Sequence, residues 1–292
     1  MVDLLKRCLD SIPERGDIEV IVVDDISPAS EIKKLKSLPV HKNVRIYESK
    51  EKGGAGHARN IGLSHASGKW LLFADADDYF AKGFDRIVDD YKDSDYNTVF
   101  FGFETRISET GELKSSRVIG SDRALRNKDV DFFKYRFHGP WAKLIRRDFV
   151  VKNNIKFEEV ECSNDTFFSG YVGKAAKKAI VDEREIYVTT IRQGSLVHNM
   201  SIRSLTTRLD VSVRYNKFLK EIHKDKYRIN LLSLIFYYRG IDNKLFREHL
   251  KVYLREERCF DIFIDTCKCV SGLTKQKFSS KKNLRKQIKI HN

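Results

Sequence analysis

The sequence predicts a layered α/β fold, and three observations carry that prediction. Short β-branched runs alternate with segments of helical spacing, as strands do when helices join them. Two of the runs end in crowded carboxylates, Asp24-Asp25 and Asp75/Asp77/Asp78. With 292 residues, 41% of them hydrophobic and 33% charged, the chain is globular in composition and long enough to bury a sizeable core.

Residues 4–12 (LLKRCLDSI) set Leu5, Cys8, Leu9 and Ile12 at helical spacing, and Pro13 and Gly16 end that helix. Residues 18–23 (IEVIVV) read as a buried parallel strand. Ser27-Pro28 then opens a turn into the helix EIKKLKSL, and residues 44–47 (VRIY) form a second strand. The glycines of KGGAG at 52–56 read as a flexible loop before a helix over 58–66, closed by Gly68. Residues 70–74 are a third strand and 98–103 (TVFFGF) a fourth. From about Arg203 the pattern is helical, with an apolar run at 231–238, Gly240, an amphipathic segment over 244–270 and a basic, apolar-poor tail at 279–292.

The formal charge of +14 is concentrated at one end. Residues 201–292 hold 22 Lys and Arg against 9 Asp and Glu, whereas the first 200 residues hold 33 against 32. That shift divides the chain into a balanced region, 1–200, and a basic helical region, 201–292. No apolar run approaches the roughly 20 residues of a membrane span, and Asp3, Lys6 and Arg7 interrupt any leader-like start. The five cysteines have no paired spacing, which points to a reducing compartment. Cys267 and Cys269 lack a second Cys or His pair at zinc spacing.

The stretch FADADDYF at 73–80 places three carboxylates directly after an apolar run. Grouped acids raise one another's pKa unless a cation is near. Mg²⁺ or Mn²⁺ resolves the repulsion, taking one or two carboxylates and completing its shell with water and substrate phosphates. A solvated acidic turn is the plainer alternative. An EF-hand is excluded because Phe80 stands where its glycine is required, and Arg59 breaks any dinucleotide fingerprint after Gly54 and Gly56.

IEVIVVDDISPAS, followed by KGGAGHARNIGLSHASGKWLLFADADDYF, resembles the family 2 glycosyltransferases of the GT-A fold. WAKLIRRDFVVKNNIKF, NDTFFSGYVGKA and IYVTTIRQGSLVH are similar to that family's acceptor half, so the resemblance spans about residues 4–200. It implies a mixed, mostly parallel sheet between helices, with a nucleotide-binding half at about 1–112, an acceptor half at about 113–200 and a C-terminal helical extension. The implied reaction is inverting, metal-dependent transfer of a sugar from a nucleotide-diphosphate sugar to a hydroxyl of a glycan or lipid-linked glycan. Bacterial capsule, lipopolysaccharide or other surface-glycan synthesis is the implied setting, in the cytoplasm and with no nucleic acid as partner. The +13 charge of residues 201–292 on amphipathic helices suits the inner face of an anionic membrane, and a solvated helical face packed on the catalytic domain is the alternative. By the same resemblance Asp77 ligates Mn²⁺ or Mg²⁺, and Asp75 sits by the ribose or the metal's water shell. Asp24, Asp25 and Arg59 face the donor, and Asp165 of the Asn164-Asp165 pair is the base. Trp141 and Lys143 fall on the acceptor side. Read without the resemblance, Asp165 before a helical run is an N-cap and Trp141 is core.

Two departures from the family carry expectations of their own. Members open with a strand that lies between those at 18–23 and 70–74, and here Met1-Val2-Asp3 leads straight into a helix. The expectation is a gap or a substitute strand between the two, and an inactive, basic surface-binding protein is a rival reading. A sugar-nucleotidyltransferase is another, although its Gly-rich, basic opening signature is missing from the sequence. The second departure is Ile26, where the family has Gly after Asp-Asp; a turn requiring positive φ there is costly for a β-branched residue.

Overall fold

The computed structural model describes residues 1–116, 118–192, 201–239, 241–259, 261–267 and 269. The chain divides into two compact units, Met1–Asn199 with Leu219–Tyr227, and Met200–Phe218 with Arg228–Asn292. The first unit opens with α1 (Val2–Asp10), β1 (Val20–Asp24), α2 (Ala29–Lys36), β2 (Val44–Glu48), α3 (Gly54–His65), β3 (Trp70–Leu71), β4 (Tyr79–Phe80) and α4 (Phe84–Asp89). It continues through β5 (Thr98–Ile107), β6 (Leu113–Lys114), α5 (Ser121–Arg126), α6 (Val130–Tyr135), β7 (Lys143–Arg146), α7 (Arg147–Lys152), α8 (Thr166–Ala175) and β8 (Ala179–Ile191). Helix α9 (Ile202–Glu221) follows, and α10 (Leu231–Phe236) and α11 (Asn243–Glu256) belong to the second unit.

Among the described residues the strands form two sheets. One is the parallel pair β1–β2, and the other runs β3-β7-β5-β8-β4 with β6 on β5. The two parallel pairings are the long ones, Val20–Asp24 on Val44–Glu48 and β5 along most of β8. The antiparallel pairings join only two or three residue pairs each. The sheet is therefore mixed, as the sequence implies. Where β5 passes Asp182 and Glu185 the register shifts around Gly102. A Cβ on Gly102 would lie 2.6 Å from the Glu183 carbonyl, so the bulge needs glycine.

The large sheet is held by aromatic packing. Phe100, Phe101, Leu144, Ile186 and Tyr187 are buried along β5, β7 and β8. Ile145, Val150, Phe157, Phe168 and Val172 make a second cluster, in which the Phe157 and Phe168 rings stack at 3.8 Å. In the second unit, Leu231, Leu232, Ile235, Tyr238 and Tyr253 pack together.

Several expectations are corrected by these elements. The third strand is two residues long instead of five, because Trp70 and Leu71 pair with Arg146 and Ile145 on one side only. Among the described residues β1 pairs only with β2 and β3 only with β7, so these two strands are not hydrogen-bonded to each other. Instead the Glu19 carboxylate, just before β1, accepts the Ser67 and Gly68 amides at 2.6 and 2.7 Å just before β3. The glycine loop is shorter than expected, since α3 already begins at Gly54. The amphipathic segment expected over 244–270 is helical but broken: α11 ends at Glu256, Glu257 turns to extended backbone with ψ 148°, and helix resumes over 261–267. The basic tail at 279–292 and the end of IYVTTIRQGSLVH lie outside the described residues.

Candidate active site

The turn after β1 is built by its own acids. Asp24 is buried, and its Oδ2 accepts the Ser27 amide at 3.0 Å. Both oxygens of Asp25 are taken by backbone, accepting the amides of Gly53 at 2.9 Å and Gly54 at 2.8 Å. These two amides open α3, where orphan N–H groups and the helix dipole favour a carboxylate. Asp24 therefore secures a turn and Asp25 seats the helix that carries Arg59, and neither side chain lies among the cleft residues described below. Between them and Ser27, Ile26 adopts φ 56°, the left-handed conformation that its β-branch disfavours. Gly56 on α3 packs so closely that a Cβ would fall 2.1 Å from the Glu158 carbonyl. That approach brings α3 against the segment leading to Asn164 and Asp165.

The three acids after β3 have separate fates. Asp78 is 1% exposed; its Oδ1 accepts the Thr190 amide at 2.6 Å and its Oδ2 the Tyr187 hydroxyl at 3.2 Å. It anchors the loop to β8. Asp75 accepts from Arg59 Nη2 at 2.6 Å, and its amide donates to the Tyr187 hydroxyl oxygen at 2.9 Å. Asp77 meets Arg192 Nε across 3.5 Å, and its carbonyl accepts from Arg7 Nη2 at 2.5 Å and the Thr190 hydroxyl at 2.6 Å. The carboxylates of Asp75 and Asp77 remain about a third exposed.

Arg59 links the acidic loop to the Asn164-Asp165 pair. Its Nη1 donates to Asn164 Oδ1 at 2.7 Å, and its guanidinium lies over the Phe157 ring at 5.4 Å. Asp165 occupies the N-cap position of α8, yet its side chain makes no capping hydrogen bond. Burial raises its pKa, opposed by the Arg59 charge and reinforced by that of Asp75.

Trp141 and Lys143 are core residues on either side of Ala142. Trp141 stacks on Tyr187 and meets Phe103 and Phe137 edge-on. Lys143 is 1% exposed, and its Nζ donates to the Phe137 carbonyl at 2.7 Å and to Ser169 Oγ at 2.9 Å. Burial pushes its pKa down to about 7. Both side chains are thus built into the core, Trp141 against Tyr187 and Lys143 against Phe137 and Ser169.

Arg59, Asp75, Asp77 and Arg192 share a cleft of about 600 Å³, within the range of small-molecule sites. Its apolar part is lined by Ile21 and Val23 of β1, Leu63 of α3, and Leu71 to Phe73 at β3. The cleft is lined by both β1 and β3, which do not pair with each other among the described residues. Sequence reasoning missed Arg7 and Arg192. Arg192 directly follows the β-branched end of β8, so the strand-end rule that marked the acids marks it too. Arg7 carried no such signal, since a helical arginine is ordinarily a surface residue.

A family model, glycosyl transferase family 2, matches residues 2–152. The chain belongs to that family. This glycosyltransferase is 25% identical over 266 residues to the uncharacterized glycosyltransferase YibD of Escherichia coli K12, covering 86% of this chain and 74% of that one. It is 29% identical over 208 residues to the poly(ribitol-phosphate) beta-glucosyltransferase of Bacillus spizizenii, covering 66% of this chain and 31% of the relative. Among solved structures, Staphylococcus aureus TarS 1-349 in complex with UDP-GlcNAc superposes with a TM-score of 0.59 at 20% identity, over 82% of this chain and 68% of that one. Mannosyltransferase PcManGT from Pyrobaculum calidifontis, in complex with GDP-Man and Mn²⁺, gives 0.52 at 17% identity, over 94% and 77%. At these identities the likeness is one of fold, and the fold is GT-A.

Proposed function

We propose that this family 2 enzyme transfers a sugar from a nucleotide-diphosphate sugar to an acceptor hydroxyl with inversion, using Asp165 as general base. The observation that carries the proposal is the Asp165 carboxylate, which heads α8 without capping it. Its neighbour Asn164 is tied through Arg59 to Asp75 at the cleft. A buried carboxylate with a raised pKa and no capping bond suits proton abstraction. In the step, the acceptor oxygen bonds to the sugar's anomeric carbon as the bond to the diphosphate oxygen breaks. Asp165 takes the hydroxyl proton, and Arg59 faces the charge that develops on the diphosphate.

Asp75 and Asp77 fit a hard divalent cation, since both are oxygen donors, partly exposed and on one loop. Among the described residues no three His, Cys, Asp or Glu side chains group to hold a metal, which leaves part of the shell to the donor phosphates. Mn²⁺ or Mg²⁺ held there would neutralise charge on the leaving diphosphate. The poly(ribitol-phosphate) relatives, a glucosyl- and an N-acetylglucosaminyltransferase, support a bacterial surface-glycan acceptor. No helix among the described residues is long and apolar enough to cross a membrane. The exposed Lys244, Arg247, Lys251 and Arg255 of α11 support a site of action at an anionic membrane face.

Asp165→Asn tests the base. Turnover should fall by at least ~10² while donor affinity is kept, as removal of a general base requires. In the wild type, turnover should be full above the raised Asp165 pKa and drop as pH falls through it, because only the ionised form accepts a proton. The acid limb should thus lie above the ordinary aspartate range and vanish in the variant. Weakened donor binding with unchanged turnover would instead make Asp165 a structural residue.

A further inference from the structure

The two carboxylates at the cleft are each paired with an arginine, and the pairs are built differently. Arg59 is fixed at three points, by Asp75 at 2.6 Å, Asn164 at 2.7 Å and the Phe157 ring. Its side chain is 17% exposed. Arg192 meets Asp77 through Nε, across 3.5 Å, and its side chain is 32% exposed. The Nε atom is buried and makes no hydrogen bond among the described residues. Among the described residues, that long contact at a solvent-reached side chain holds it weakly. The strongest use of a guanidinium, paired N–H groups on two oxygens of a carboxylate or phosphate, is left unrealised among the described residues.

Charge balance says when that use arises. With Arg59 and Arg192 facing Asp75 and Asp77, the empty site is close to neutral. A divalent cation arriving alone meets two arginines and must displace one of them from its acid. A cation arriving with a diphosphate brings compensating negative charge, and an arginine released from Asp77 then has phosphate oxygens to pair with.

Building on the proposed donor site, we infer that Arg192 is a donor-positioning residue that neutralises Asp77 in the empty enzyme and turns to the nucleotide's diphosphate when Asp77 takes the cation. Arg59, anchored on Asn164 and Phe157, stays in place. Arg192 thereby makes cation and nucleotide bind as a coupled pair, each raising the affinity for the other by the same factor.

The test titrates the full chain with Mn²⁺ alone and with UDP in saturating Mn²⁺, for the wild type, Arg192→Gln and Arg192→Lys. Arg192→Gln should bind Mn²⁺ alone several-fold more tightly, because the competing cation is gone. The same variant should bind UDP about tenfold more weakly, the scale of one lost charge-assisted contact. Arg192→Lys should recover part of both. The opposite signs separate this role from simple damage to the site, which would weaken both ligands. Wild-type binding of UDP with both affinities unchanged in Arg192→Gln, or both weakened, would overturn the inference. A wild type that binds no UDP in Mn²⁺ would overturn the donor site itself, and the role of Arg192 with it.

Discussion

At the scale of single residues, identical side chains do different work according to what the fold brings to them. Asp75, Asp77 and Asp78 are indistinguishable in the sequence as candidate metal ligands. Tyr187 and Thr190, more than 100 positions away, claim Asp78 for structure and leave the other two at the cleft. Ile26 is the reverse case, because its strain was legible: a position following Asp-Asp that needs positive φ is costly for a β-branched residue, and it sits at φ 56°. The left-handed conformation costs about 1–2 kcal/mol for such a residue, while glycine's extra unfolded freedom costs about 0.5–1 kcal/mol. Ile26 is 47% exposed, so little packing is lost on its removal. Ile26→Gly should therefore stabilise the protein by roughly 1 kcal/mol net, read as a higher urea midpoint with an unchanged slope. A lower midpoint would mean that the isoleucine side chain contributes more than its backbone costs.

At the scale of elements, periodicity located helices and strands well, and failed where a neighbour decides the length. Residues 70–74 have the composition of a five-residue strand, but a ladder needs a partner, and only Trp70 and Leu71 find one. The glycines at 53–56 look like a loop until the Asp25 carboxylate, 28 residues earlier, supplies the acceptor that starts a helix. Helix α11 follows from its own pattern. Tyr253 is buried among apolar neighbours, whereas Lys244, Arg247, Lys251 and Arg255, three or four apart, are exposed with Leu254 beside them. Each basic residue near an anionic surface contributes about 1 kcal/mol, and salt screens it. The protein should therefore sediment with phosphatidylserine-containing vesicles at low salt and be released at high salt. Lys251→Glu with Arg255→Glu should lower the bound fraction. Equal recovery in the supernatant at both salt concentrations would exclude this surface as a membrane contact.

At the scale of the whole molecule, the family and its fold were legible because ordered motifs report both at once, while the pairing of charges across the site was not. Arg59 with Asp75 is separated by 16 residues and Arg192 with Asp77 by far more, and no local pattern joins either pair. The apolar cleft between the edges of β1 and β3 follows from neither strand alone, since it depends on which edges remain unpaired. The central claim is that this cleft binds a nucleotide-diphosphate sugar through the acids of the loop after β3. Its most direct test is the Mn²⁺-dependent release of UDP from UDP-sugars by the wild type and by Asp77→Asn. Asp77 is partly exposed and its structural bonds run through its backbone carbonyl, so the variant should keep the wild-type melting temperature. The account predicts Mn²⁺-dependent release by the wild type and its loss in Asp77→Asn, through removal of one charge from the diphosphate site. Undiminished release by a folded Asp77→Asn protein would contradict it.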